Sequence, residues 1–544
     1  MAKASLINYP CFNNQATTIK FIKFMNLMNT KLKARFNKHL SSLICWLLEH
    51  QQSITIVILF ILSYGVFLFR LHLPTIRMWD ESRLAVNSLE MLINSNFLVT
   101  HFDGKPDMWN TKPPLLIWLI VASMKIFGVN EFAVRFPSAI SGIATTFILL
   151  KFCNSYFQNI KIGLVSALVL ITSIGFVGEH VGRTGDYDAL LVLWIVIYSL
   201  SYFSYLHSDI PKKRYLYLVL TTIALVLAVL TKSIAGLMFL PGILIYTAWR
   251  RKLRKILFAR ETYLAATFFI LAVSSYYILR NYSNPGYIKT VLQIEVTGRY
   301  LSSLENHKGE FIFYLKGLFN SKFIPWVYFL PACFILTQMS TKAKLKELSL
   351  FVSLQIICYL LIISSAQTKL PWYDAPLYPM MSLLIGLGVA EFLQSLANYY
   401  SISNKNLKIA FLALMIIGLF SLPYLDMLYL KIYRHQGMIY DWSKKNDPQL
   451  MYGSYFKQLQ QEQPTLKKFY VANNDEYNAH LLFYTKKYNH FNNNEINVLP
   501  AKHSFRQGDI VVSCDPEVKQ YLEHKYKLNW LHTNGFCQTN SIEL

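Results

Sequence analysis

Apolar and polar positions along this chain are arranged in long blocks. Apolar runs recur at Ile54–Phe69, Ile140–Phe152, Leu164–Val177, Ala189–Leu206, Leu216–Leu230, Leu264–Leu279, Leu348–Ile363, Leu383–Phe392 and Ile409–Leu422. With their flanks, several reach the roughly 18–20 residues that a bilayer-spanning helix requires. The pattern predicts about eleven spans, at 53–72, 131–151, 161–181, 187–206, 215–231, 235–249, 262–279, 323–339, 348–365, 376–396 and 408–424. After about residue 425 the blocks give way to a polar tail rich in Asn, Lys and Tyr. Its alternating segments "KKFYVAN" and "GDIVVSC" predict strands of a small α/β domain.

One apolar stretch does not fit. "MWNTKPPLLIWLIVASMKIFG", residues 108–128, is short, carries Ser123 and Lys125, and stops at Gly128. Basic loops decide its status, because Lys and Arg next to spans favour the cytoplasmic side. These loops are the N-terminal Lys31, Lys33, Arg35 and Lys38, then Lys151 with Lys161, "HSDIPKKR" (207–214), "RRKLRKILFAR" (250–260), "STKAKLKE" (340–347) and "NKNLK" (404–408). If 113–128 does not span, every basic loop falls on the side of the N-terminus. If it spans, the later loops move outside. The stretch is therefore expected to lie on the outer face as a juxtamembrane or re-entrant helix.

Composition agrees. Hydrophobic residues make up 53% of the 544 and charged residues only 15%, against about 25% charged in soluble domains. The formal charge of +23 suggests nucleic acid in a soluble protein, but here Lys and Arg gather at helix ends, so no nucleic-acid partner is expected. Residues 1–50 lack a short apolar core with a small-residue cleavage site, and no cleaved signal peptide is expected. The seven cysteines show no metal-ligand spacing. Cys514 and Cys537 both lie in the tail and can pair if it is extracytoplasmic. The expected organisation is a basic cytoplasmic segment at 1–50, a transmembrane domain at 51–425 with its first outer loop at 73–130, and a soluble domain at 426–544.

Chemistry-capable residues collect in the outer loops. "MWDESRLAVNSLEML" places Asp80, Glu81 and Arg83 at the start of a helix, where Asp80 also suits a helix cap. "GRTGDYDALLVLW" places Arg183, Asp186 and Asp188 where a membrane helix begins. The carboxylates fit capping and the helix dipole, and an ionisable cluster at this depth is also a functional signal. "DYD" matches the D-x-D of soluble nucleotide-sugar transferases by three letters only. In "WNTKPPL", two prolines fix the backbone beside Lys112, a cation suited to a phosphate or to ordinary snorkelling. The 280–322 loop carries Arg280, Arg299, His307 and Lys308, and "AQTKLPWYDAPLYP" carries Lys369, Trp372, Tyr373 and Asp374, residues that also suit an interfacial belt. Cations that hold a lipid phosphate and a carboxylate that orients or deprotonates an acceptor point to chemistry on a phosphorylated lipid.

The ordered set D-E-x-R, K-P-P, F-G and A-x-R-x-P-S-A-x-x-G within residues 80–142, with "GRTGDYDALL" and "KLPWYDAPLYP" downstream, resembles the bacterial aminoarabinose transferases and the related protein O-mannosyltransferases. The resemblance covers about residues 75–395. It implies a GT-C glycosyltransferase fold with about 11–13 transmembrane helices, outer-face juxtamembrane helices and a C-terminal extracytoplasmic domain. It further implies a polyprenyl-phosphate-linked sugar as donor, a lipid A-like lipid or other glycan acceptor, and a bacterial inner membrane location with the site facing the periplasm. By the same resemblance Asp80 is the acidic residue of the active centre, with Asp188, or else Asp186, as the second acid. Lys112 contacts the donor phosphate, helped by Arg299 and Arg183, while Glu81, Arg83, Lys369, Tyr373 and His307 are candidates for substrate contacts. A divalent metal ion is a possible cofactor. Many aminoarabinose transferases carry Glu immediately before the K-P-P lysine, where Thr111 stands here. The alternatives are protein O-mannosyl transfer from the same donor class, a non-enzymatic flippase for a lipid-linked sugar, and a membrane subunit whose tail binds a partner.

Overall fold

The computed structural model describes residues 46, 49–178, 180–301, 307–399, 405–429, 448–474 and 477–543. The N-terminal basic cluster, Asn404 of the last basic loop and residues 430–447 of the expected tail domain lie outside the described residues. Seven described helices are long and apolar enough to cross a membrane: Glu131–Phe157, Asp188–His207, Pro211–Leu237, Arg260–Ser283, Ala343–Ser365, Pro371–Tyr399 and Ala410–Tyr429. Each coincides with an expected span. The pair Phe313–Lys322 and Trp326–Met339 is bent by 112°, and its second arm covers the span expected at 323–339.

Three other expected spans form shorter helices, Gln51–Phe67, Ile160–Ile171 and Leu240–Trp249. Local chemistry shortens them. The first apolar helix of the 161–181 span ends at Ile171, where the hydroxyls of Thr172 and Ser173 bond back to the Leu168 and Val169 carbonyls before a second short helix, Ile174–Val177. Leu240–Trp249 begins on a proline, which fits only the first turn of a helix.

The helix Leu115–Phe127 has 13 residues, about 20 Å at 1.5 Å per residue, too short for a hydrocarbon core of about 30 Å. Its apolar face, Leu116, Ile117, Ile120, Val121 and Met124, is buried with the helices Asp80–Asn94 and Glu131–Phe157. Loop 73–130 thus stays at one end of the bundle. At the opposite end His207, Arg250 and Glu347 meet (His207–Glu347 3.0 Å, Arg250–Glu347 2.9 Å). Three of the basic loops therefore share that end, as the charge pattern requires.

The tail contains a five-stranded sheet of β3 (Lys468–Ala472), β4 (Glu495–Leu499), β5 (Ile510–Ser513), β6 (Lys527–Asn534) and β7 (Cys537–Glu543), following a short hairpin of β1 (His101–Phe102) and β2 (Lys105–Pro106) in the first loop. The order is β4-β3-β5-β7-β6. β3 pairs in parallel with β4 and β5, and β7 pairs antiparallel with β5 and β6. "KKFYVAN" and "GDIVVSC" supply β3 and β5. A disulfide joins Cys514 to Cys537. The domain sits on the first loop: its helix Ala479–Asn492 packs along Asp80–Asn94. Tyr484 donates to Glu131 (2.6 Å), where Lys457 also pairs (2.6 Å), and Lys486 meets Glu90 at 3.1 Å.

Candidate functional site

Asp80 is the first residue of its helix and does not cap it. The cap position belongs to Trp79, with φ of 68° and no side-chain capping bond. The Asp80 carboxylate is thereby released toward the second acidic loop, and 47% of the side chain is exposed. That loop is held against the first by a buried ion pair. Arg135 donates to Glu81 at 2.6 and 2.8 Å, and the Gly185 amide donates to the same carboxylate at 2.9 Å. Gly185 is required here, since a Cβ would meet Val134 at 2.5 Å.

Beside Asp80 lie His180 and Asp186. His180 Nδ1 is 3.1 Å from Asp186 and 3.8 Å from Asp80, and its ring stacks on Trp372 at 3.6 Å. Packed surroundings, then the charge of Asp186, raise the Asp80 carboxyl above the ordinary range. Burial alone would lower His180, but its hydrogen bond to Asp186 and the charges of Asp186 and Asp80 outweigh it and raise it. The three offer ligand atoms within 4.8 Å of one another, a carboxylate–imidazole set that suits a divalent cation such as zinc or manganese.

A cationic group faces this acidic one. Lys112 Nζ lies 3.8 Å from Glu295 and 5.4 Å from the centre of the Tyr187 ring. Arg299 donates to Glu295 at 3.1 Å and to the Tyr373 hydroxyl at 2.6 Å. Two cations against one carboxylate leave one positive charge in excess. Burial holds Lys112 below the usual lysine range, with Glu295 opposing the shift. Burial also acts to lower Arg299, but Glu295 overrides it and raises the guanidinium. The two groups meet through Tyr187, whose amide donates to the Asp186 carboxylate at 2.7 Å and whose ring centre lies 5.4 Å from Lys112 Nζ, so both stand at one end of the bundle.

Several expected residues are placed otherwise. Asp188 is closed off by Lys232, which donates to both of its oxygens at 2.6 Å, so Asp186 is the acid that faces Asp80. Arg183 donates to the carbonyls of Val66 and Phe69, and Lys369 to those of Ser364 and Ala366, so both tie backbone together away from the charged group. Arg83 is engaged by Asp107 at 2.8 and 2.9 Å, and Glu81 by Arg135. The His307 carbonyl accepts from the Lys369 amide, outside this group. Lys112 is not at an open lipid interface but largely buried beside Glu295, its side chain 12% exposed. Tyr373 does join the cationic group.

Three members escaped sequence reasoning. His180 stands three residues before Arg183, in the loop that leads to the second acids. Lys232 ends an apolar run, and an ionisable residue at such a depth was itself a signal. Glu295 lies in a π-helical stretch, Leu292–Gly298, a form that periodicity does not reveal. It accepts from the Thr111 hydroxyl at 3.1 Å, so a carboxylate from another segment stands beside Lys112 although residue 111 is not Glu.

Residues 111–278 match the family model described as dolichyl-phosphate-mannose-protein mannosyltransferase. An undecaprenyl phosphate-alpha-4-amino-4-deoxy-L-arabinose arabinosyl transferase of Erwinia tasmaniensis is 27% identical over 60% of this chain and 58% of its own length. One of Pseudomonas fluorescens is 26% identical over 61% of this chain and 57% of its own. The chain thus spans about three fifths of the length of these curated relatives. Among solved structures, ArnT from Cupriavidus metallidurans bound to undecaprenyl phosphate superposes with a TM-score of 0.67 at 15% identity, over 90% of this chain and 97% of that one. An oligosaccharyltransferase of Archaeoglobus fulgidus gives 0.52 at 12% identity, over 83% and 65%.

Proposed function

From a chain with the GT-C fold, related in sequence to aminoarabinose and mannosyl transferases, we propose a membrane glycosyltransferase. It moves a sugar from a polyprenyl-phosphate donor to a lipid acceptor of the lipid A type. The site faces the periplasm, because the opposite end carries the basic loops. The observation that carries this reading is the juxtaposition of a carboxylate group around Asp80 with the cations Lys112 and Arg299 at one end of an apolar bundle. The names of the relatives and the undecaprenyl phosphate bound to ArnT support the donor class.

In this mechanism the donor phosphate sits against Lys112 and Arg299. The acceptor oxygen attacks the anomeric carbon from the face opposite the phosphate, the carbon–oxygen bond to the phosphate breaks, and configuration inverts. Negative charge grows on the departing polyprenyl phosphate. Fixed cations in a buried setting stabilise that charge without reorganising. Asp80 orients the acceptor and takes its proton when the acceptor is a hydroxyl; a phosphate acceptor, already anionic, needs little base help. The Lys232–Asp188 pair sets the position of Tyr373, whose ring lies 5.2 Å from Lys232 Nζ, and so of Arg299. Asp80, His180 and Asp186 would hold a divalent ion, which would supply positive charge beside the acceptor.

Expression of Asp80→Asn and Lys112→Ala variants in a strain lacking the gene, followed by mass spectrometry of lipid A and envelope glycans, tests this reading. A sugar adduct restored by the wild type and reduced in Lys112→Ala is expected, and reduced also in Asp80→Asn where the adduct sits on a hydroxyl. Full restoration by both variants removes the proposed site.

A further inference from the structure

Asp80 is preceded by an aromatic platform that the reaction, as described, leaves without a role. Trp79 is 58% exposed. Its ring lies parallel to that of Tyr477 from the C-terminal domain, with centres 4.7 Å apart and 6° between planes. Tyr477 is in turn parallel to Phe102 of the first-loop hairpin, at 6.4 Å and 4°, and the Arg83 guanidinium lies 4.3 Å from the centre of the Phe102 ring. With one side backed by Tyr477, the exposure of Trp79 belongs to its remaining face and edges.

The backbone shows that this arrangement is held in place. Trp79 has φ of 68°, a region that bulky L-residues avoid. Its carbonyl accepts from Ser82 Oγ (2.9 Å), the Arg83 amide (3.0 Å) and the Tyr477 hydroxyl (3.0 Å). A tryptophan that merely anchors a protein at the lipid interface needs neither a strained backbone nor a parallel partner from another domain. The next residue is the carboxylate that meets the acceptor.

We propose that Trp79, backed by Tyr477, is the stacking platform for a saccharide ring of the acceptor. A pyranose presents a face of C–H bonds with slight positive charge, which matches the electron-rich face of an aromatic ring. Its rim of hydroxyls needs a polar neighbour, which the part-exposed Asp80 carboxylate provides. A phospholipid headgroup without a ring has no such face, and an acyl chain needs a continuous apolar groove. The C-terminal domain thereby takes part in acceptor choice through Tyr477. This inference rests on the transferase reading for the place of the acceptor, but the platform can be tested without turnover.

The test uses the full chain in detergent with three probes, a β-1,6-linked glucosamine disaccharide, glycerol 1-phosphate and a Ser/Thr-rich heptapeptide, read by saturation-transfer NMR. Thermal stabilisation by undecaprenyl phosphate is measured in parallel. The key substitution is Trp79→Gly, because glycine accepts the positive φ and relieves the strain. The wild type is expected to transfer saturation to the disaccharide ring protons and not to glycerol phosphate. Trp79→Gly and Tyr477→Ala lose the disaccharide signal by about fivefold or more, and Trp79→Tyr, which keeps a ring face, retains most of it. Trp79→Gly melts no lower than the wild type and keeps its response to undecaprenyl phosphate, an outcome that a purely structural role for Trp79 does not give. An undiminished disaccharide signal in Trp79→Gly overturns the platform, as does an equal signal from glycerol phosphate or from a Ser/Thr-rich heptapeptide. Undecaprenyl phosphate that stabilises Lys112→Ala as well as the wild type overturns the donor site instead and leaves the platform standing.

Discussion

Lys112 is a buried cation whose charge depends on its neighbours. Burial pulls it below the usual lysine value of 10.5 and Glu295 pulls it back. Donor phosphate binds the charged form, so affinity for undecaprenyl phosphate is expected to fall as pH rises, beginning below the pH at which an ordinary lysine loses its proton. In Glu295→Gln the loss begins at a still lower pH, since the group that sustains the charge is gone; an onset shifted upward in a titration of affinity contradicts this account. At neutral pH Lys112→Ala removes one charge-assisted contact, about 1.5–3 kcal/mol or roughly 10- to 100-fold in affinity. Asp80→Asn leaves that affinity intact and lowers kcat with a hydroxyl acceptor by roughly 10²–10⁴-fold, which separate measurements of binding and turnover distinguish. At this scale the sequence was informative where chemistry is local. The D-E-x-R and K-P-P motifs gave Asp80 and Lys112, which the structure places beside His180 and Glu295 respectively. It was misleading where pairing is distant, because neither the capture of Asp188 by Lys232, 44 residues away, nor the diversion of Arg183 onto carbonyls more than a hundred residues earlier leaves a local trace.

Secondary-structure elements carry the site through one joint. The helix Asp80–Asn94 is fixed to the helix Glu131–Phe157 by the Glu81–Arg135 pair, and Arg135 also donates to the carbonyls of Leu71, Pro74 and Thr75 at 2.6 to 3.1 Å. Removing one partner strands a buried charge. Arg135→Met is therefore expected to destabilise the folded protein by about 3–5 kcal/mol, seen as loss of the monodisperse detergent-extracted species or a lowered melting temperature. An unchanged melting temperature would show that the joint is not structural. The long spans were legible because apolar blocks of membrane length have no other use. The nonspanning role of Leu115–Phe127 was legible from the charge pattern of distant loops. The short helices at Ile160–Ile171 and Leu240–Trp249 were read as full spans because hydropathy registers neither the break at Thr172 and Ser173 nor a proline in the first turn of a new helix inside an apolar run.

Across the whole molecule, the tail domain packs on the loop that bears Asp80. Its period-two segments showed two of its strands in advance, but its docking surface, Tyr484 and Lys457 on Glu131, had no local signature. Within it His480 is 1% exposed, and burial lowers its imidazole from 6.5 to about 4. Above pH 6.5 the ring is neutral in both folded and unfolded chains, so it has no effect there. Between 6.5 and 4 only the unfolded chain takes up the proton. Stability is therefore expected to fall across that window by about 3 kcal/mol, and His480→Leu flattens the pH dependence of the melting temperature. A fall confined to pH below 4 would contradict the assignment. The Cys514–Cys537 bridge closes a loop with a sequence separation of 23, and its loss in Cys514→Ser is expected to cost about 3 kcal/mol, read by denaturant or thermal unfolding.

The central claim is that a lipid-phosphate donor is split at the Lys112–Arg299 site with transfer to an acceptor placed by Asp80. Its most direct test is incubation of the purified protein in detergent, where there is no membrane to cross, with an undecaprenyl-phosphate-linked sugar and lipid A, followed by mass spectrometry of both lipids. The account predicts free undecaprenyl phosphate and glycosylated lipid A in equal amounts from the wild type, a yield lowered roughly 10- to 100-fold in Lys112→Ala at subsaturating donor, and a loss in Asp80→Asn for transfer to a hydroxyl rather than to a phosphate. An intact donor after prolonged incubation with each of a panel of polyprenyl-phosphate sugars, by a protein that still binds undecaprenyl phosphate, would contradict it.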